Sequence, residues 1–423
     1  MEQARLAAET VARRSYGKLL AFLVARTGDV AGAEDALADA FAAALAEWPA
    51  GGTPERPEAW LLTVARRRRV DDLRRRRRGE AAASHLRLLA EEAEAAAQAA
   101  ADFPDERLKL MFACAHPALD PAVRAPLILQ TVLGFDAAAI ASSFLVAPAA
   151  MSQRLVRAKQ RIRGAGIPFR VPERDDIAAR LDAVLEAIYA AFAEGWADPA
   201  GTETRRRNLA GEAIWLGRLI AALLPAEPEA LGLLALMLHA EARRGARRDA
   251  DGNFVPLDRQ DCAAWDDALI DEAEALLRRA GAMGRVGRYQ LEAAVQSAHV
   301  VRRRTGAADW PAIAALYDAL HAITGSPVVA INRAVAVAET QGAAAGLALL
   351  DTVGGDARLA DYQPYWAARA GLLARAGDVT QAGAAYRLAI GLERDPAVRR
   401  YLQGRLAALQ ASGLRATASK QNT

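Results

Sequence analysis

Nine arginines fall between Arg66 and Arg78, broken only by Val70-Asp71-Asp72-Leu73. A protein interior cannot hold guanidinium at that density, because each unpartnered ion taken out of water carries a heavy desolvation cost. The segment must therefore lie at a surface. It also carries an apolar stripe: from Pro57 onward, Trp60, Leu61, Val64, Val70 and Leu73 fall near one face of a helix, with the arginines projecting outward. Proline suits the first helical position, where its missing N–H would find no partner anyway. A rigid helix with such an outer surface fits phosphate contact, since each neutralised phosphate releases condensed counterions. A solvated charged face or a polybasic tail is the plainer alternative, but tails do not usually interleave their charge with an apolar stripe.

The rest of the chain reads as helix too. Alanine supplies much of the 53% hydrophobic content, aromatics are only 6%, and alanine is the best helix former, so an all-α fold is expected. Charge is unevenly spread. Residues 1–172 hold 25 Lys and Arg against 20 Asp and Glu, whereas the remaining 251 residues hold 29 against 31. The front of the chain is thus expected to meet a polyanion and the back something else. Two distant cysteines, Cys114 and Cys262, cannot build a disulfide framework and read as reduced, buried small residues. The charged opening MEQARLAAETVARR lacks the apolar core of a signal peptide. No apolar run reaches the roughly 18–20 residues of a membrane span. A cytoplasmic location is expected.

Residues 5–48 show helical spacing, with Leu19, Leu20, Phe22 and Leu23, then Ala33, Ala36, Leu37, Ala40, Phe41 and Leu45, facing inward. A Pro/Gly-rich break at Trp48–Pro57 precedes the arginine helix. Residues 80–102 are an Ala/Glu-rich linker. In Gly134–Arg163, Asp136 can cap a helix that turns Ile140 and Phe144 inward. A tight turn at Val146–Pro148 leads to a second helix with Met151, Leu155 and Ile162 buried. Its outer face offers Ser152, Gln153, Arg154, Arg157, Lys159 and Arg161. That is the layout of a helix-turn-helix, whose second helix enters the major groove; an ordinary αα-hairpin fits the pattern as well. Further on, Trp366, Ala370, Gly377, Ala382, Tyr386 and Ala389 fall at offsets typical of a 34-residue tetratricopeptide unit, and Ala314, Ala336 and Ala348 extend the spacing weakly upstream. The polar tail 411–423 is expected to be disordered.

These segments together resemble a known family. GAEDALADAFAAALAEW (Gly32–Trp48) followed by PEAWLLTVARRRRVDDLRRR looks like sigma region 2, and the segment ending in RLVRAKQRIR looks like region 4. AGIPFRVP (Ala165–Pro172) and the long helical part behind it resemble extracytoplasmic-function sigma factors of the sigma-70 family with a C-terminal tetratricopeptide-repeat domain. The resemblance implies that Glu34, Asp35, Asp39 and Phe41 bind the beta-prime clamp helices of core RNA polymerase, and that a beta-flap contact accompanies them. It implies that the Trp48–Pro57 loop, Trp60, Arg66, Arg67, Arg68, Arg69, Asp71, Arg74 and Arg75 meet the −10 element of promoter DNA. Ser152, Gln153, Arg154, Arg157 and Lys159 match the helix that reads the −35 element. The chain departs from the family pattern at Arg67, where Asn is usual, at Leu145, where Gly is common, and at Ser152 and Gln153.

The expected divisions are a region 2-like bundle over 1–79, the linker 80–102, a region 4-like domain over 103–170, a helical domain over 171–293, repeats over 294–410, and the tail. No metal-ligand spacing, nucleotide-binding loop or catalytic set stands out, so no cofactor and no enzymatic activity are expected. The mechanism implied is binding: polymerase and promoter at the front, with repeats that regulate through a protein partner or an intramolecular contact, and no membrane. Two other readings stay open, a helix-turn-helix regulator with a repeat sensor, and a repeat scaffold whose basic front binds RNA or polymerase non-specifically.

Overall fold

The computed structural model describes residues 2–76, 106–144, 146–172, 174–196 and 204–421. Every regular element among them is helical; the one β-type contact is an isolated bridge between Arg248 and Phe254. The chain divides into two compact units, residues 1–195 and 196–423. The linker 80–102 lies outside the described residues.

In the first unit, α1 (Glu2–Thr27), α2 (Val30–Gly51) and α3 (Pro57–Arg76) pack on one another. Their shared core holds Leu19, Leu20, Leu23, Val30, Ala33, Leu37, Leu61, Leu62 and Ala65, all buried. Alanine on α2 lets α1 and α3 approach closely, and the larger leucines of its neighbours fill the space. Two expectations need correction. Leu45 points to solvent at 49% exposure, and α2 runs on through Pro49 to Gly51. Pro49 costs the helix the bond its N–H would have made to the Leu45 carbonyl, and the helix ends two residues later.

Four shorter helices follow: α4 (Arg107–Cys114), α5 (Pro121–Thr131), α6 (Ala137–Ser143) and α7 (Pro148–Gly164). Asp136 Oδ1 accepts from the Ala139 N–H at 2.8 Å, the expected cap of α6. Ile140, Met151, Leu155 and Ile162 are buried as expected, while Phe144 is half-buried. Helices α6 and α7 follow one another closely, as both a helix-turn-helix and an αα-hairpin would, and Leu145 lies outside the described residues. Next comes α8 (Arg174–Trp196), which belongs mostly to this unit. Buried Arg180 donates to the Phe112 carbonyl at 3.3 Å, and Arg124 donates to the Ala179 carbonyl at 3.4 Å. The Val171-Pro172 break precedes α8 but does not end the packing, so the compact unit extends past residue 171.

The second unit runs from α9 (Thr204–Leu223) through α10 (Pro228–Ala242), α11 (Asp267–Gly281), α12 (Arg288–Val300) and the single turn α13 (Arg302–Thr305). Helix α10 is apolar all round and packs against α9, α11 and α12. Then α14 (Trp310–Thr324), α15 (Pro327–Gln341), α16 (Ala343–Val353), α17 (Gln363–Ala376), α18 (Val379–Leu392) and α19 (Pro396–Gln421) pack each on the next. In the α17–α18 hairpin, Ala370, Ala382, Tyr386 and Ala389 are buried together, and Gly377 ends α17 in the left-handed region. Upstream, Ala336 is buried as Ala370 is and Ala314 is half-buried, but Ala348 is exposed and α16 instead buries Gly346 and Leu350. Helix α19 continues into the tail 411–423, where disorder was expected, reaching Gln421. The alanines and leucine of Ala411–Ala418 favour helix more than the polar residues oppose it.

The first unit is locked by a close backbone approach. Gly17, buried in the middle of α1, faces the end of α5, and a Cβ there would stand 1.8 Å from the Val132 carbonyl oxygen. Alanine would gain about 1 kcal/mol in helix propensity, but the clash is with backbone and cannot relax by a side-chain rotation. Gly17→Ala should therefore lower stability by about 2 kcal/mol. Urea unfolding followed by circular dichroism measures this, and an unchanged or raised midpoint would show that the two helices can part without loss.

Candidate promoter and polymerase interface

The arginine helix does not turn all its charge outward. Arg67 and Arg68 are exposed. Arg66 is half-buried, its guanidinium 5.0 Å from the centroid of the Phe22 ring, which Arg26 also covers at 3.9 Å. Arg69 turns back to α2 and pairs with Asp29 at 3.1 Å, both side chains only 13% and 14% exposed. A Cβ on Gly32 would stand 1.6 Å from Arg69 Nη1, so glycine is what lets the guanidinium in. The side chains of Val70, Asp71, Leu73, Arg74 and Arg75 lie outside the described residues, although the helix backbone continues to Arg76.

Asp29 does two jobs. Its Oδ1 accepts from the Gly32 N–H at 3.1 Å, which caps α2, and its Oδ2 accepts from Arg69. Burial pushes this carboxyl up, but the Gly32 N–H and Arg69 together outweigh it and hold the group below its ordinary value. Asp29 was not singled out from the sequence. The signal was present as an Asx residue after Gly28 at the start of an alanine-rich periodic run.

At the other end of α2 the two tryptophans meet. Trp48, 3% exposed, stands edge-on to half-buried Trp60 with ring centroids 5.5 Å apart at 63°. The buried Trp48 indole N–H has no hydrogen-bond partner.

On α7, Ser152, Gln153, Arg154 and Arg157 form an exposed polar and basic face, opposite buried Met151, Leu155 and Ala158. Lys159 does not join them. Its Nζ lies 2.6 Å from Glu34 Oε2 on α2, with side chains 12% and 16% exposed. Two of the residues singled out for different partners are therefore tied to each other across 125 residues of chain. Of the other α2 residues, Asp35 and Asp39 are exposed and Phe41 is half-buried. Burial raises the Glu34 carboxyl above its ordinary value, an effect that Lys159 only partly offsets. Burial, then Glu34 and Asp35, likewise push the Tyr16 phenol up.

Cys114 is inert: its thiol is fully buried, 3.4 Å from Thr131 Oγ1, and burial pushes it up to about 12. Among the described residues no group of His, Cys, Asp and Glu is arranged to hold a metal, and no helix is long and apolar enough to cross a membrane.

The Glu34–Lys159 pair predicts a pH signature. Glu34 binds a proton more readily in the folded chain than in the unfolded one, so stability falls as pH rises from 4.5 through the raised value. Removing Lys159 raises that value further. Lys159→Met should cost about 2 kcal/mol at neutral pH, with the loss fading as pH falls toward 4.5. Urea midpoints of both proteins across this range check it; a loss independent of pH would show that the pair does not carry the effect.

Comparison with known proteins bears on this arrangement. Residues 11–79, which hold α2, α3 and the Trp48–Trp60 pair, match the model of Sigma-70 region 2. Residues 180–281 match a family of unknown function, DUF6596. An uncharacterized protein of Rhizobium meliloti (strain 1021), R00370, is 39% identical over 379 residues, which cover 88% of this chain and 89% of the relative. No solved structure matches. The chain belongs to one family with the Rhizobium meliloti protein, and its residues 11–79 carry a Sigma-70 region 2.

Proposed function

We propose that this chain is an extracytoplasmic-function sigma factor that binds core RNA polymerase and directs promoter recognition, melting and initiation, with a tetratricopeptide-like C-terminal part that regulates it. The observation that carries the reading is the pairing, in one compact unit, of a region 2 bundle with a helix-turn-helix whose second helix keeps Ser152, Gln153, Arg154 and Arg157 exposed. A region 2 bundle alone would leave the −35 side unread. The helix-turn-helix alone would suit a duplex-binding regulator.

The parts divide by chemistry. Asp35, Asp39, Phe41 and Glu34 on α2 offer the beta-prime clamp an acidic face with one apolar contact. Arg67 and Arg68 on α3 take phosphates near the −10 element, where Trp60 offers a ring on which an unstacked base can lie. Capture of such a base offsets the cost of unstacking, so no nucleotide hydrolysis is needed to open DNA. With Arg67 in place of the usual Asn, this contact depends more on charge than on base identity. On α7, Ser152, Gln153, Arg154 and Arg157 meet −35 base edges and phosphates. Arg69 acts through Asp29, holding α3 on α2. Lys159 holds α7 on α2, so the pair with Glu34 must open when polymerase takes Glu34 and DNA takes α7.

Run-off transcription by bacterial core polymerase with this protein tests the proposal, on genomic fragments that include the region upstream of its own gene. A discrete transcript is expected. Replacing both Arg67 and Arg68 by Ala should weaken promoter binding and reduce the slope of log K against log salt by about 2, since each phosphate contact contributes about 1. Replacing Arg69 should instead lower stability, because its partner Asp29 is left buried. Duplex binding without any transcript, with core shown to be active, would favour the regulator reading.

A further inference from the structure

The second unit gathers three arginines that, among the described residues, form no ion pair with a carboxylate. Arg243, 7% exposed, closes α10; its Nε donates to the His239 carbonyl at 3.2 Å and its Nη2 to Gln296 Oε1 on α12. Arg302 donates to the Leu257 carbonyl at 2.5 Å and to that of Gln260. Arg247 donates to the Trp196 carbonyl at 2.9 Å and lies 3.7 Å from the centroid of that ring. The Arg243 and Arg302 guanidiniums stand 5.9 and 5.6 Å from one ring centroid, that of Trp265. Trp265 is 4% exposed, and its buried indole N–H has no partner.

Every one of these acceptors is neutral. Carbonyls and an amide satisfy hydrogen bonds but do not cancel charge, and arginine cannot shed its proton to escape burial. Elsewhere in this unit arginines pair with carboxylates, as Arg218 does with Glu272, Arg248 with Asp395 and Arg375 with Glu339. Among the described residues Arg243, Arg247 and Arg302 have no such pair. The field is felt locally. Burial, then Arg243 and Arg302, push His299 down to about 4, and burial with Arg243 pushes His239 down to about 3. Both imidazoles are therefore neutral at physiological pH. Of the acids nearby, Glu274 is partly exposed and stands 3.4 Å from the neutral His239, while Asp395 is taken by Arg248 and Glu292 pairs with Arg288.

We infer that this cluster is a binding site for a small oxyanion, a carboxylate or a phosphate group, held by Arg243 and Arg302 with the Trp265 indole N–H as a further donor. Guanidinium presents planar paired donors that match two oxygens of such a group. The indole N–H adds a donor that no acceptor of the protein takes up. The site rests on none of the residues assigned above to polymerase or promoter.

Isothermal titration calorimetry of the full chain with inorganic phosphate and, separately, with succinate tests it, at low millimolar ligand and constant ionic strength. Binding of either is expected, and which one binds separates a phosphorylated ligand from a carboxylate ligand. Trp265→Phe removes the indole N–H together with the five-membered ring that carries it; measured below the onset of unfolding, which this loss of buried core volume lowers, binding should weaken about tenfold. Arg302→Gln should weaken it further. The inference is overturned if neither anion binds the wild-type chain, or if both variants bind as tightly as it does.

Discussion

Helix α2 settles the charges on which the front unit depends. Its first residue outside the helix, Asp29, holds Arg69 of α3, and one turn further Glu34 holds Lys159 of α7. Each of these ions is largely buried, so each would be destabilising without its partner, and each partner comes from a different helix. The pairs contribute little net energy compared with the leucines of the core, but they fix which faces of α3 and α7 turn inward. With Arg69 and Lys159 turned in, Arg67, Arg68, Arg154 and Arg157 are left pointing out. The outward basic surface is thus a consequence of the inward pairs.

The two pairs also differ in kind. Arg69–Asp29 lies within region 2 and is reinforced by a helix cap, so nothing in the proposed function requires it to break. Glu34–Lys159 joins two segments that the proposed function assigns to different partners. Burial already raises the Glu34 carboxyl, which means the pair is held less tightly than its short distance suggests. An ion pair of that kind suits a joint that must open.

The second unit handles charge by another rule. Its outer arginines are paired with carboxylates, whereas Arg243, Arg247 and Arg302 are bonded to carbonyls, an amide and aromatic rings. Asp261 and Asp266 each cap a helix with one carboxylate oxygen: Asp261 accepts from the Ala263 N–H and Asp266 from the Leu269 N–H. They are therefore helix-entry residues, as the pattern of that loop suggests, and Trp265 is core.

Local periodicity determined much of this protein. Helices over Leu19–Leu23, Ala33–Ala40 and Met151–Ile162, the Asp136 cap and the hairpin around Gly377 follow from spacing and capping chemistry that act within a few residues. The exposed face of α7 was equally legible, because a helix that buries Met151, Leu155 and Ile162 must turn Ser152, Gln153, Arg154 and Arg157 the other way. Tertiary structure alone decided which charges turn inward. Arg66 to Arg69 are identical in type and adjacent in sequence, yet Arg67 and Arg68 face water while Arg69 meets an aspartate 40 residues earlier. Lys159 looked like one more DNA contact until α7 was placed against α2. A cation's role is set by whether a buried carboxylate, a carbonyl or solvent lies within a few ångströms of it. That distance is fixed by the packing of helices far apart in sequence, which no short-range pattern encodes.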